Sequence, residues 1–431
     1  NYLFGRYSTS TTSSLSFTVK NSGGIAAAVT QDAAGLAAPY SFTGGSYPGT
    51  GGTCSSSIAA GASCTVNVSF APTATGTYWD FVALGYNDGS TARTLNSNYF
   101  YGTGLGERRI PAATPAASAL FGSSVAVAGG VAIVGTAGPT ASGAGSATIY
   151  RYRKSGASVT WTKEADLTSS LVAGAAGDQF GYSVDISGDY AIVGVPYDDD
   201  SYATNQGTAR IFQYDGTSWT ETVKLAQTCS NNYADDNFGY SVAIDGMKAI
   251  VGTPYDNWTT ADRGSATAFV FDGTTWQKTC IEQSGVATSS FFGYSVDISG
   301  DIAVVGAPGQ DKVYVYKYGG GTTWTLLQTL TGSDTASGDY FGASVSIKGD
   351  VIAVGAPYKT VSTYTNAGAA YVFRRVKQTL RLGVTEWTFL QEHKITNAVT
   401  TNIKMGQSVS VSDDAVAVAA PGAWSFFGAT I

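Results

Sequence analysis

The side chains of this chain that could do chemistry are few and unevenly placed. His393 is the only histidine, and Cys54, Cys64, Cys229 and Cys280 are the only cysteines. A Ser-His-Asp relay would have to run through His393, and a zinc site built on several histidines is ruled out. His393 itself lies in EWTFLQEHKIT, an outer-strand pattern, and reads as a partly exposed structural residue. Acids and amides remain. The loop YDDDSYATNQ carries Asp198, Asp199, Asp200 and Asn205, and the matching loop YDNWTTADR carries Asp256, Asn257 and Asp262. These oxygens suit a ligand contact or a hard cation such as calcium, but neither loop has the spaced D-x-D-x-D-G pattern, so a solvated loop is the plainer alternative. Asp185 and Asp297 stand at equal places, five residues after a recurring Phe, where other units have Ala126, Ala243, Ser346 and Ser410. If that strand lines an axis, two carboxylates face a common channel as an acid/base pair. Otherwise they are part of a water-filled wall.

Cys54 and Cys64 are ten residues apart in GGTCSSSIAAGASCTV, with no His or third Cys to complete a metal site. A local disulfide is the expectation, and with it an oxidising compartment and an extracellular or cell-surface location. Cys229 and Cys280 each precede a repeat start and read either as a second disulfide or as two buried thiols.

Composition narrows the class. Charged residues make up 13% of 431, against about 25% in an ordinary soluble domain, while 54 Gly and 26 Tyr point to β-structure with many turns. A net charge of −7 without any basic run leaves no footprint for nucleic acid. The stretch Ala415 to Trp424 is apolar but interrupted by Pro421 and Gly422, and is far short of the roughly 18–20 residues a spanning helix needs. The chain opens at Asn1 without Met, which reads as a fragment or processed form.

The elements that must position these residues are set by a repeat. Segments open at Phe121, Phe180, Phe238, Phe292 and Phe341 with Phe-Gly, and a sixth opens at Met405; successive starts are 59, 58, 54, 49 and 64 residues apart. In each, an alternating strand such as Ser183 to Ile186 is followed by a tight turn and an apolar run, Ala191 to Gly194. A third strand ends in alternating aromatics (GTARIFQY, GSATAFVF, KVYVYKY), and a fourth opens at Trp161, Trp219, Trp276, Trp324 or Trp387. The Asp215-Gly216 and Asp272-Gly273 pairs between them suit a type I′ hairpin turn. Four antiparallel strands repeated in this way predict a β-propeller, whose middle strands are covered on both faces and so read apolar throughout. FFGATI at the end of the sequence repeats the third-strand motif.

These segments resemble the FG-GAP repeats of integrin α subunits and many bacterial surface proteins, and the resemblance implies a seven-bladed propeller of which six units are visible. The family's calcium loop is replaced here by short ISGD, IDGM and IKGD turns, so its calcium ligands carry over to no residue. The first hundred residues differ in texture. FTV, CTVNVSF and FVALGY alternate between Gly and Asn-Asp-Gly turns and predict an immunoglobulin-like sandwich. Phe70-Ala71-Pro72, Thr75 to Tyr78 and the NSGG turn make it similar to the bacterial Hydin-like, choice-of-anchor D domain. The expected division is residues 1–105 sandwich, 106–117 linker and 118–431 propeller.

The reading that follows is a non-enzymatic extracellular recognition or assembly platform, without a cofactor, that meets an extracellular protein or glycan or packs with copies of itself. Its alternative is a secreted propeller enzyme, or a calcium-dependent lectin, acting on glycans.

Overall fold

The computed structural model describes residues 2–8, 12–31, 35–74, 76–87, 92–97, 100–105, 120–138, 145–155, 158–168, 177–199, 204–227, 234–257, 262–281, 287–379, 385–396, 401–422 and 427–430. The chain divides into two compact units, residues 1–110 and 111–431.

The first unit is built of strands alone. Strands Ser13–Lys20, Ser63–Phe70 and Tyr40–Phe42 form one sheet; Ser57–Ile58, Ala27–Gln31, Ala83–Asn87 and Ala92–Asn96 form another. A third joins Tyr2–Ser8, Phe100–Leu105 and Gly76–Asp80, its first two strands parallel. Strict alternation along Ser63–Phe70 turns Cys64, Val66, Val68 and Phe70 inward. There they meet Phe4, Phe17, Tyr40 and Phe100 in an aromatic core of tilted and edge-on ring pairs. Cys54 is disulfide-bonded to Cys64. A cleft of about 500 Å³ lies beside this core, walled by Val19, Ile25, Val29, Ile58 and Leu84.

The second unit is a β-propeller of six consecutive sheets, here called blades 1 to 6. Blade 2 shows the pattern: Ser183–Ser187 is innermost, followed outward by Tyr190–Val195, Thr208–Tyr214 and Trp219–Ala226, each antiparallel to the last. Blades 1, 3, 4 and 5 have the same four-strand order. Blade 6 has three strands, Ser408–Val411, Ala415–Ala419 and Phe427–Thr430, the last being the expected third-strand motif. The innermost strands, Leu120–Ala128, Ser183–Ser187, Ser241–Asp245, Ser295–Ser299, Ser344–Lys348 and Ser408–Val411, neighbour one another in that order.

Apolar side chains hold the blades face to face. Ala191, Ile192 and Val193 are fully buried, because residues of both parities on a middle strand meet a neighbouring blade. Val131 and Ile133 of blade 1 pack with Val184 and Ile186 of blade 2, and the arrangement recurs from blade to blade. Burial of each such side chain contributes about 1.5–3 kcal/mol. Gly194 has to be glycine, since a Cβ there would collide with the carbonyl oxygen of Gly239 in the next blade. The tryptophans Trp219, Trp276 and Trp324 pack against these seams, whereas Trp387 is exposed.

One local expectation is corrected. Tyr214 pairs with Trp219, so the hairpin loop has four residues, Asp215 to Ser218, where the type I′ reading requires two. Only Gly216 has positive φ, and the Asp215 carboxylate accepts the amides of Thr217 and Ser218. Asp215 acts through its side chain and not through an unusual backbone. Asp272 does the same for Thr274 and Thr275.

Candidate active site

Along each innermost strand, alternate residues face different ways. Val184 and Ile186 point back to blade 1, which leaves Ser183, Asp185 and Ser187 directed at blade 3. Asp185 Oδ1 accepts the amide of Ile186 at 2.8 Å and Oδ2 that of Ile244, one blade on, at 2.7 Å. Asp297 repeats this two blades later, accepting from Ile298 at 2.7 Å and from Ile347 at 2.6 Å. Blade 3 has Ala243 between them, and Asp245 further along closes the arc by accepting Ser187 Oγ of blade 2 and the Gly300 amide of blade 4.

Three carboxyls are therefore gathered on the first strands of three successive blades. Asp185 and Asp297 are enclosed by protein and each keeps a small accessible face. Burial, and secondarily the charge of Asp297, pushes the Asp185 carboxyl up to about 8 despite its two amide donors. Burial pushes Asp297 up to about 6, opposed by the amides of Ile347 and Ile298 and the Ser346 hydroxyl. Both carboxyls are thus held above the ordinary carboxylate range, Asp185 further than Asp297.

A tyrosine collar stands at one end of the same strands. Tyr182, Tyr240 and Tyr294 each follow a Phe-Gly, three residues before the level of Asp185 and Asp297, or about 10 Å along a strand. Their rings are 5.0 and 5.1 Å apart. Tyr197 and Tyr255 back them edge-on. Burial pushes the Tyr182 phenol up to about 12 and raises that of Tyr240 as well, so both are neutral donors. Sequence reasoning passed over these residues. The available signal was that the position after Phe-Gly is Tyr in three consecutive units and Ser123, Ala343 and Gln407 elsewhere.

The loop acids have other work. Asp198 is buried and takes the Arg210 guanidinium at 2.8 Å and the Thr208 hydroxyl at 2.6 Å; Arg210 also reaches Glu221. Asp256 is buried and accepts from Gln227. Asp199 accepts the Asn205 amide, Asn205 donates to Asp235, and Asn257 accepts the Asp262 amide. Asp200 and Cys229 lie outside the described residues; Cys280 is disulfide-bonded. His393 is exposed on its outer strand. Among the described residues no group of three or more His, Cys, Asp or Glu is placed to hold a metal ion.

A family model for the FG-GAP repeat matches residues 161–212, 219–271, 277–318 and 324–373. These four stretches are FG-GAP repeats. Each FG-GAP repeat begins on the outermost strand of one blade and ends on the third strand of the next, so every repeat is stitched across a seam. No curated protein matches the chain in sequence. Among solved structures, a candidate 6-phosphogluconolactonase from Bacteroides uniformis is 9% identical, with 78% of this chain and 84% of that one covered at a TM-score of 0.44. The periplasmic gluconolactonase of Pseudomonas aeruginosa is 12% identical, with 83% and 94% covered at 0.44. A candidate 6-phosphogluconolactonase from Bacteroides fragilis is 8% identical, with 80% and 86% covered at 0.42. The expectation of a non-enzymatic platform is corrected to this extent: all three of these similar structures carry the names of enzymes, and at 8–12% identity the likeness is one of fold alone.

Proposed function

We propose that this chain is a secreted propeller enzyme that hydrolyses a glycan, with Asp185 as general acid and Asp297 as general base. The observation that carries the proposal is the equal placement of two enclosed carboxyls on first strands two blades apart, each accepting its own strand's amide and one from the next blade, with burial raising Asp185 further than Asp297. Two titratable groups whose surroundings push them apart are the usual arrangement for acid/base work near neutrality. In the proposed step, Asp185 gives its proton to the leaving-group oxygen as the bond to that oxygen breaks. Asp297 takes a proton from the water whose oxygen forms the new bond. The collar of Tyr182, Tyr240 and Tyr294 offers ring faces and phenol donors suited to a sugar, and the loops bearing Asp199, Asn205, Asn257 and Asp262 start from Tyr197 and Tyr255 beside it.

Secretion is supported by the Cys54–Cys64 disulfide, and among the described residues no helix is long and apolar enough to cross a membrane. Residues 1–105 are proposed to be an immunoglobulin-like module of the Hydin type that carries the propeller.

A panel of chromogenic glycosides tests the reading. Turnover is expected with a bell-shaped pH profile between about 6 and about 8, and Asp185→Asn and Asp297→Asn should each lower kcat by about 10²–10⁴. Absence of turnover on every substrate overturns the enzyme. Turnover that survives both substitutions overturns the site.

A further inference from the structure

The tyrosine collar has a charge preference of its own. Tyr182, Tyr240 and Tyr294 are partly exposed, as are Tyr197 and Tyr255 behind them. Among the described residues no Lys or Arg stands over any of these five rings. Acids do stand near them. Burial raises the Tyr255 phenol, and the negative charge of Asp262 raises it further. Asp199, two residues after Tyr197, is exposed and is joined through Asn205 to Asp235, which is exposed as well. The Arg210 charge that could offset them is buried and taken up by Asp198 and Glu221.

Another blade holds an ammonium at the corresponding place. Tyr358 follows Gly355-Ala356-Pro357 as Tyr197 follows Gly194-Val195-Pro196 and Tyr255 follows Gly252-Thr253-Pro254. The residue just before the next Met-Gly is Lys404, and its Nζ lies 5.2 Å from the Tyr358 ring centroid. At the matching place Tyr255 meets Phe291, ring to ring at 5.7 Å. Tyr197 has Asn237 there, whose side-chain amide donates to the Pro196 carbonyl. An ammonium within about 6 Å of a tyrosine ring is attracted by the negative charge of the ring face. Blades 2 and 3 thus keep the ring, add acids and lack the cation.

We propose that the glycan met by the collar carries free, protonated amino groups, as a chain of hexosamine units does, and that the collar rings with Asp262 and Asp199 select it. This rests on the glycan reading of the site given above. An ammonium on the sugar gains the ring faces and the two carboxylates together. An acetamide or a hydroxyl on the same carbon carries no charge and gains neither. A sugar bearing carboxylate or sulfate is repelled by the same acids.

Calorimetric titration of the 431-residue protein tests this with three β-1,4-linked tetramers, of glucosamine, N-acetylglucosamine and glucose, which differ only at C2. It is run at about pH 6, below the range in which such amines lose their proton. The titrated samples are then analysed for cleavage, so that binding and turnover are read separately. The glucosamine tetramer should bind about tenfold tighter than the other two, and added salt should narrow the gap. Asp262→Asn should narrow it as well, and asparagine suits the backbone there, where φ is 50°. Tyr240→Leu should weaken the glucosamine tetramer more than the glucose tetramer, whereas Tyr240→Phe keeps the ring and should keep the preference. Equal binding of the three tetramers overturns the proposal, as does binding of none. So does a preference that survives Asp262→Asn and Tyr240→Leu unchanged. An amine preference without cleavage of any tetramer supports this inference and counts against the hydrolase. Cleavage of the glucose tetramer without an amine preference does the reverse.

Discussion

Ser183 Oγ donates to the carbonyl oxygen of Gly239 at 2.8 Å, joining two residues 56 apart in sequence across the seam between blades 2 and 3. The bond exists because Gly194, directly opposite Ser183 on the middle strand, has no side chain to hold the Gly239 loop away. Serine and glycine are one device.

The two substitutions should therefore differ in size. Ser183→Ala removes one partly buried hydrogen bond and should lower stability by about 0.5–1.5 kcal/mol. Gly194→Ala forces the Gly239 backbone to move and should cost about 2 kcal/mol or more, as overpacking does. Urea unfolding of the two variants beside wild type measures both; equal losses would mean that the close approach is not needed.

The first acid loop should show a sharp contrast between neighbours. Asp198 is buried against Arg210, whose guanidinium is itself only 3% exposed, so Asp198→Ala leaves a buried cation with Glu221 as its remaining acid partner. A loss of about 3–5 kcal/mol is expected. Asp199 only receives a local loop amide, and Asp199→Ala should cost less than about 1 kcal/mol. Thermal melts decide it. If both variants melt alike, the Arg210 pair is not what Asp198 is for.

How far the sequence could be read depends on the range of the interaction. Blade order, the apolar middle strands and the third strand at Phe427–Thr430 were legible because each is a periodic pattern within one repeat. The Cys54–Cys64 bond was legible because its loop is short and carries no rival ligand. Equal placement of Asp185 and Asp297 was visible, but not that each spans to the next blade, since the Ile244 and Ile347 amides lie 59 and 50 residues away. The same holds for Asp198, whose partner Arg210 looked like one more member of an alternating strand. The hairpin turn was misread because Asp-Gly fits two turn types, and the strand register, set by Tyr214 against Trp219, chooses between them.

The disulfide of the first unit should be worth measuring by itself. Closing a loop of ten residues constrains the unfolded chain, by about 2–3 kcal/mol in the chain-entropy picture. Cys54→Ala/Cys64→Ala should lower the stability of residues 1–110 by that amount. The Asp198 and Ser183 effects lie in the other unit and should be unchanged. A double-mutant comparison reads this directly, and a loss shared equally by both units would show that they unfold together.

The protonation of Asp185 gives the last prediction. Its pKa is near 8 in the folded chain and 3.8 is the ordinary value, so the folded state holds a proton that the unfolded state releases. The stabilisation is fully present below the ordinary value, and it is lost as the pH climbs through about 8. Asp297 acts in the same direction over a narrower window, ending near 6. Glu164 works the other way, because its hydrogen bond to Arg151 lowers its pKa and strengthens the fold above the acid range. Total stability against pH thus mixes opposite slopes, and a difference between two proteins is needed to isolate one group. Asp185→Asn cannot ionise. It loses an acceptor for one of the two amides, so it should melt below wild type at pH 5, but the gap should shrink or reverse by pH 9, where wild-type Asp185 carries its buried charge. A gap that is constant across that range would mean that Asp185 is ionised in the folded chain throughout, and would remove the proton donor from the proposed site.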